Sequence, residues 1–125
     1  MEFSFAPDIQ DRISNLVNKI GFNHIEPKRI KCFRSFGSKS KAQARIWSFP
    51  KIWQKALGIG PHYIIEAISE RFDKLNIEEK EKILIHELLH IPKNFSGSLL
   101  SHRSRGRAIN LKLINKLYSK IKKND

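Results

Sequence analysis

The chain has 125 residues, of which 40% are hydrophobic and 10% aromatic, and its formal net charge is +12. This length suits one domain with a single core, and the apolar content excludes a wholly disordered chain, so we expect one globular domain over residues 1–125. No apolar run approaches the roughly 18 residues of a membrane-spanning helix, and the first ten residues lack a basic leader, so we expect a cytoplasmic protein with no membrane partner.

The positive charge is unevenly distributed along the chain. No acidic residue lies between Glu26 and Glu66, and after Glu87 the only one is Asp125. Basic surfaces of this kind attract phosphate backbones, so a nucleic acid is a candidate partner. The single cysteine, Cys32, excludes an internal disulfide and a cysteine-type zinc site, and we expect it to be buried in a strand.

The first half of the chain predicts one helix followed by two strands. Apolar residues at helical spacing predict an amphipathic helix over residues 7–20, with Pro7 in its first turn and Gly21 after its end. The segment RIKCFRSF alternates apolar and basic residues, GSKSK follows as a turn, and ARIWSF reads as a second strand. We therefore expect these two strands to form a β-hairpin with one basic face.

A short helix and a third strand come next. KIWQKAL follows Pro50 and predicts the helix, which GIGP ends, and HYIIEAIS is a β-branched run of strand length. We expect Trp47 and Trp53 in the core, although a tryptophan beside a basic strand could instead stack on nucleic acid bases.

The clearest helix signal lies in the segment LNIEEKEKILIHELLHIP. Asn76 can cap the helix, Glu79 completes a capping box, and Pro92 marks its end. A last helix is predicted over roughly residues 104–122. Its expected apolar stripe contains Ala108, Leu111, Tyr118 and Ile121, and its other side carries Lys112, Lys116 and Lys120. Such a lysine row is either a solvated face or a nucleic acid contact.

These elements predict an α+β fold. A small mixed sheet of three strands would pack against the N-terminal helix, the helix that contains HELLH, and the C-terminal helix. We find no internal repeat and no low-complexity segment in the chain.

The HELLH segment has the residue types and spacing of a metal site. His86 and His90 lie one helical turn apart on the same face, so both imidazoles can bind one ion. Glu87 is offset around the helix, where it can polarise a water on that ion without binding the metal. A catalytic zinc needs three protein ligands, and after His90 only His102 and Asp125 are available. We expect His102, although His24 and His62 remain candidates.

Other interpretations of these residues stay open. HELLH could belong to an ordinary helix whose histidines and glutamate face solvent, and His102 could be an ordinary loop residue. Against this, the neighbouring apolar residues would bury His86 and Glu87, which is costly unless a metal compensates. The alternative function is that of a non-catalytic basic protein that binds nucleic acid and holds a structural zinc or no metal.

The chain resembles the zincin metallopeptidases, and most closely the small phage and archaeal metallopeptidases related to SprT-like proteins. Four stretches over most of residues 30–118 carry the resemblance: CFRSFGSKSKAQARIW, FPKIWQKALGIGPHYIIEAISERFDKL, ILIHELLHIPKNFSG and SHRSRGR. The HExxH pattern is specific for zincins in general. The continuation IPKNFSG with a later histidine is more specific for the small group.

The resemblance implies a minimal zincin fold and a zinc-dependent peptidase. His86, His90 and His102 would bind zinc, and Glu87 would be the general base for attack by a zinc-bound water. Zincins bind a peptide or protein substrate as an extra strand on a sheet edge, and we expect HYIIEAIS to be that edge. The charge of the chain, rather than the resemblance, leads to the further hypothesis that the basic faces bind DNA or RNA and bring the enzyme to proteins associated with nucleic acid.

The residue that stabilises the oxyanion stays unassigned. The candidates are Tyr63, Tyr118, Arg103 and Arg105.

Overall fold

The computed structural model of the protein describes residues 1–102 and 109–123. The strands are β1 (Glu2–Phe5), β2 (Ile30–Phe36), β3 (Ala44–Trp47) and β4 (Tyr63–Ile68). The helices are α1 (Pro7–Ile20), α2 (Lys51–Leu57), α3 (Ser69–Phe72), α4 (Ile77–Leu88) and α5 (Leu111–Lys123), with a short 3₁₀ turn at Pro27–Arg29. The predicted α+β fold is confirmed.

The four strands form one mixed sheet in the order β1-β2-β4-β3. β2 and β4 are parallel, and the other two pairs are antiparallel. The predicted hairpin of β2 and β3 is therefore wrong, because β4 lies between them. β4 is buried along nearly its whole length and takes the centre of the sheet, as near-continuous apolar strands do. β1 was not predicted, and with it the sheet has four strands rather than the expected three.

α1 and the start of α4 follow the sequence prediction closely, whereas α4 ends at Leu88 rather than next to Pro92. α1 spans Pro7–Ile20, and Gly21 ends it in the left-handed conformation with φ +82°. Asn76 caps α4, and its side chain and that of Glu79 form the reciprocal capping box, with Glu79 N–H donating to Asn76 Oδ1 at 2.8 Å. These boundaries depend on neighbouring residues alone, which is why local sequence signals locate them.

The last helix begins later than predicted. α5 starts at Leu111, where the Asn110 side chain accepts a hydrogen bond from Leu113 N–H at 2.9 Å. Leu111 is 67% exposed, so its predicted place in the buried stripe is wrong, whereas Tyr118 and Ile121 are buried together with Ile114. The packing of α5 against α1 and α4 selects this face. The predicted start of the helix, including Ala108, lies outside the described residues.

The core lies between the helices and one face of the sheet. It includes Ile13 of α1, Ile65 of β4 and Leu84 of α4, and Cys32 is buried in β2 as predicted. The other face of the sheet carries exposed side chains. Trp47, 45% exposed, points to that side, and Trp53 is 57% exposed on α2, which has no buried residue. The expectation that both tryptophans belong to the core is therefore wrong.

Within the described part of the chain, no helix has the length and apolar character needed to cross a bilayer.

Candidate metal centre

The structure brings the three predicted histidines together. His86 and His90 lie one turn apart near the end of α4, and their Nε2 atoms are 3.4 Å from each other. His102 returns from the following loop and places its Nε2 at 3.0 Å from that of His86. One ligand atom from each ring lies within 4.8 Å of the other two. The three imidazoles therefore converge on one point.

The donor set fits a divalent ion such as zinc. Tetrahedral zinc with bonds of about 2.0–2.1 Å to imidazole separates its nitrogen ligands by ~3.4 Å, close to the observed spacings. Burial, and then the charges of His90 and His102, lower the pKa of His86 to about 4, so that this ring is neutral at pH 7. A neutral imidazole offers the lone pair that a metal requires.

A hydrogen bond orients the His90 ring. Its Nδ1 lies 2.6 Å from the carbonyl oxygen of Leu100, and because a carbonyl can only accept, Nδ1 carries the proton. Nε2, the nitrogen left to bind a metal, faces the other two histidines. Fixing the tautomer through the second ring nitrogen is how proteins usually prepare a histidine ligand.

The loop between α4 and His102 is held at several points. Leu100 N–H donates to the His90 carbonyl at 2.7 Å, which pins the loop to the end of the helix. The Tyr63 hydroxyl, buried under the loop, donates to the Ser98 carbonyl at 2.8 Å and accepts from Gly97 N–H at 2.9 Å. These contacts explain how a loop that begins at Pro92 brings His102 back to the helix.

The two other histidines that remained candidates lie elsewhere. His62 Nδ1 donates to the Gly60 carbonyl at 2.9 Å, and the His24 ring packs against Phe22 with 5.6 Å between centroids. Among the described residues, neither belongs to a group of side chains that could hold a metal.

Glu87 lies beside the histidines at a cleft of about 290 Å³. The cleft is lined by Ala44, Lys82, Ile83, His86, Glu87 and Leu111, among others. Glu87 is only 8% exposed, and this burial raises its pKa to about 8, although a hydrogen bond from the backbone of Ile46 opposes the rise. The site thus combines a nitrogen ligand set with a buried carboxyl group at an open cleft.

The hydrogen bond from Ile46 also shows which strand borders the cleft. Ile46 belongs to β3, one of the two edge strands, and β3 packs against α4. The expectation that HYIIEAIS forms the sheet edge is wrong, because β4 pairs with β2 on one side and β3 on the other. A long buried strand of this kind has no free backbone edge, whereas the short β3 has one.

The structure also bears on the oxyanion candidates. Tyr63 is 1% exposed and its hydroxyl is engaged with the loop, so it is a loop-positioning residue and the oxyanion role is wrong for it. Tyr118 is buried on α5, and the ammonium group of Lys82 lies 5.2 Å from its ring centroid. Arg103 and Arg105 lie outside the described residues.

Sequence reasoning missed three contributors to the site. Leu100 and Ile46 act through backbone groups, and because every residue has these groups, the sequence does not indicate which ones take part. Lys82 could have been found, because it lies four residues before His86 and so on the same side of α4.

Residues 1–115 match a protein-family model described as "Putative phage metallopeptidase". No curated protein and no solved structure matches the chain. A metallopeptidase family implies a bound metal, and the three histidines on α4 and the following loop are a group that could hold it. Because the match extends over nearly the whole chain, this protein belongs to the phage metallopeptidase family.

Proposed function

We propose that the protein is a zinc-dependent peptidase of the zincin type, in which His86, His90 and His102 hold the ion and Glu87 is the general base. The observation that carries the proposal is the convergence of three imidazole nitrogens beside a buried carboxyl group at a cleft. A structural zinc is bound by four protein ligands, which leave no coordination position for water or substrate. Only three converge among the described residues, which favours a site with a position left for water and substrate.

A bound zinc ion would supply Lewis acidity, polarising the scissile carbonyl and lowering the pKa of a water toward about 7. The positive charge of a bound ion would favour the ionised form of Glu87 and so oppose the effect of its burial. As a carboxylate, Glu87 takes a proton from the attacking water and later delivers it to the nitrogen of the leaving amine. His90 is kept in position by Leu100, and the loop contacts of Tyr63 and Gly97 hold the segment that ends at His102.

The substrate we propose is a peptide in extended form along β3. The strand is at the sheet edge and next to α4, so a peptide main chain can pair with it and pass Glu87. A side chain next to the scissile bond would enter the cleft between Ala44 and Ile83. Because the net charge is +12, we further propose proteins associated with nucleic acid as substrates.

Two variants test the catalytic assignment. His102→Ala should lose at least about 100-fold in zinc affinity, measured by chelator competition, because one of three ligands is gone. Glu87→Gln should keep its zinc but lose roughly 10²–10⁴-fold in cleavage of a mixed peptide library followed by mass spectrometry. His62→Ala is the matched control and should change neither quantity.

The same measurements address the alternative of a non-catalytic zinc protein. Zinc bound by the unchanged protein without cleavage of any library peptide would favour that alternative. Unchanged zinc affinity in His102→Ala would contradict the ligand assignment itself.

A further inference from the structure

The face of the sheet that points away from the helices is a second surface with unusual chemistry. We call it the open sheet face. It is formed by Phe3, Phe5, Lys31, Phe33, Arg45, Trp47 and Ile64. Phe3 is 55% exposed, Phe5 70%, Trp47 45% and Ile64 40%. So many exposed apolar side chains on one face are uncommon on a monomeric protein and usually mark a binding surface.

The aromatic rings of this face border a slot. Phe3, Phe33, Trp47 and Ile64 line a cavity of about 270 Å³ with Glu66 among its walls. Phe5 lies against Phe33 with 4.4 Å between ring centroids, which extends the aromatic surface to the outer strand β1. Flat apolar groups can therefore stack on this face.

Glu66 holds the Trp47 side of the slot in place. Its Oε1 accepts a hydrogen bond from Trp47 Nε1 at 2.9 Å and one from Arg45 Nε at 3.0 Å. The Arg45 guanidinium also lies over the Trp47 ring, 4.7 Å from the centroid. The ring is thus fixed before any partner arrives, which lowers the entropy cost of binding.

The net charge of the residues around the slot is positive, although Glu66 pairs with Arg45. Lys31 is exposed and the side chain of Arg45 is 41% exposed, whereas Glu66, 1% exposed, is the only carboxylate on this face of the four described strands. The connection between β2 and β3, at the Ile68 end of β4, carries two further exposed lysines, Lys39 and Lys41. A molecule complementary to this face would have flat apolar groups connected by negatively charged groups.

We propose that the open sheet face binds single-stranded DNA, with unpaired bases stacked on Phe3, Phe33 and Trp47 and phosphates near Lys31 and Arg45. Exposed aromatic rings on a basic sheet accept unpaired bases, and stacking of this kind tolerates any base. In a duplex the bases are already stacked on each other. The side chains that line the slot are mainly apolar. Proteins distinguish RNA from DNA through polar contacts to the 2′-hydroxyl, so an apolar slot favours DNA.

A labelled oligothymidylate of about 20 nucleotides tests this proposal by fluorescence anisotropy at low salt, with a duplex of equal length beside it. The single strand should bind more tightly than the duplex. Trp47→Ala and Phe3→Ala should each weaken binding at least about fivefold through lost stacking. Lys31→Glu should reduce the salt dependence by about one phosphate contact.

Matched changes away from the face are the controls. Trp53→Ala on α2 and Lys116→Glu on α5 should leave the affinity for the single strand within twofold. In a Trp53→Phe background, the fluorescence of Trp47 should be quenched as DNA binds. Melting curves check that each variant is folded, and Phe3, on the edge strand β1, gives a result that does not depend on Trp47.

Several results would overturn the proposal. Equal affinity for the duplex, or loss of binding in Lys116→Glu with Trp47→Ala unchanged, would place the DNA elsewhere. Tighter binding of an oligouridylate would assign the face to RNA, and a dimer that Trp47→Ala dissociates would assign it to a second copy of the chain. None of these results depends on whether the protein cleaves peptides.

Discussion

Gly97 is the residue on which the geometry of the His102 loop depends. Its φ is +93°, a conformation that side chains rarely adopt, and its carbonyl accepts a hydrogen bond from Phe49 N–H at 2.8 Å. A Cβ at this position would collide with the Phe49 carbonyl oxygen. No residue other than glycine therefore fits here without moving the loop.

We expect Gly97→Ala to lower the free energy of unfolding by about 2 kcal/mol or more. The strained backbone conformation and the clash of the new Cβ with Phe49 would both destabilise the folded state. Zinc affinity should fall as well, since the loop carries His102. Urea unfolding and chelator competition measure the two effects.

Gly58→Ala is the matched control, because Gly58 also has a positive φ, +68°, but open space where the Cβ would lie. It should cost about 1 kcal/mol and leave zinc affinity unchanged. Equal losses of stability in the two variants would mean that the Phe49 contact has no energetic importance.

On the scale of elements, α4 presents more than metal ligands to the cleft. Lys82 and Ile83 line it one turn before His86 and Glu87. The Lys82 ammonium lies 3.2 Å from a carboxylate oxygen of Glu78, which is itself largely exposed. An acidic side chain that enters the cleft can replace this exposed partner, because surface ion pairs of this kind are weak.

If the proposed peptidase activity holds, peptides with an acidic residue beside the scissile bond should be preferred. Lys82→Glu should lower kcat/KM for these peptides about tenfold and raise it for peptides with a lysine there. Lys55→Glu, the same change on the exposed surface of α2, should leave the preference as it is. The cleavage sites found in a peptide library measure the preference. An unchanged preference in Lys82→Glu would show that Lys82 does not select acidic side chains.

On the scale of the whole molecule, Arg34 of β2 connects two distant segments. Its guanidinium donates to both carboxylate oxygens of Asp8 in α1, at 2.6 and 2.8 Å, and to Asp73 beyond α3 at 3.0 Å. The hydrogen bonds from Arg34 lower the pKa of Asp8 to about 2, although burial works against this. Because Asp8 is 65% exposed, solvent screens the interaction and its contribution is modest.

The stability that Asp8 contributes should depend on pH in a definite direction. In the unfolded chain its pKa is about 3.9, so the contribution is complete above about pH 4 and is lost as the pH falls towards about 2. Asp8→Asn should therefore lower the free energy of unfolding by up to about 1 kcal/mol at pH 7 and flatten its decline in acid.

Urea unfolding at a series of pH values measures this effect. Asp11→Asn, on the same helix but without an ion pair among the described residues, should follow the unchanged protein. Parallel acid profiles for Asp8→Asn and the unchanged protein would contradict the prediction.

Local sequence signals were sufficient for α1, for the start of α4 and for His86, Glu87 and His90. Helical periodicity, capping by Asn76 and the spacing of four residues between two histidines all act within a few residues of chain, so one sequence carries them completely. His102 was reached by elimination among the few downstream ligands, and the structure places it with the other two.

The arrangement of the strands and the borders of the cleft required the tertiary structure. β4 lies between β2 and β3 because it is the strand that buries both of its faces. Segments far apart in sequence compete for this central position, so no local signal decides it. The contacts of Ile46 with Glu87 and of Leu100 with His90 use backbone groups, which are the same in every residue. Residue identity therefore determines the chemistry of the metal ligands, whereas only the folded chain determines the edge strand and the loop geometry that surround them.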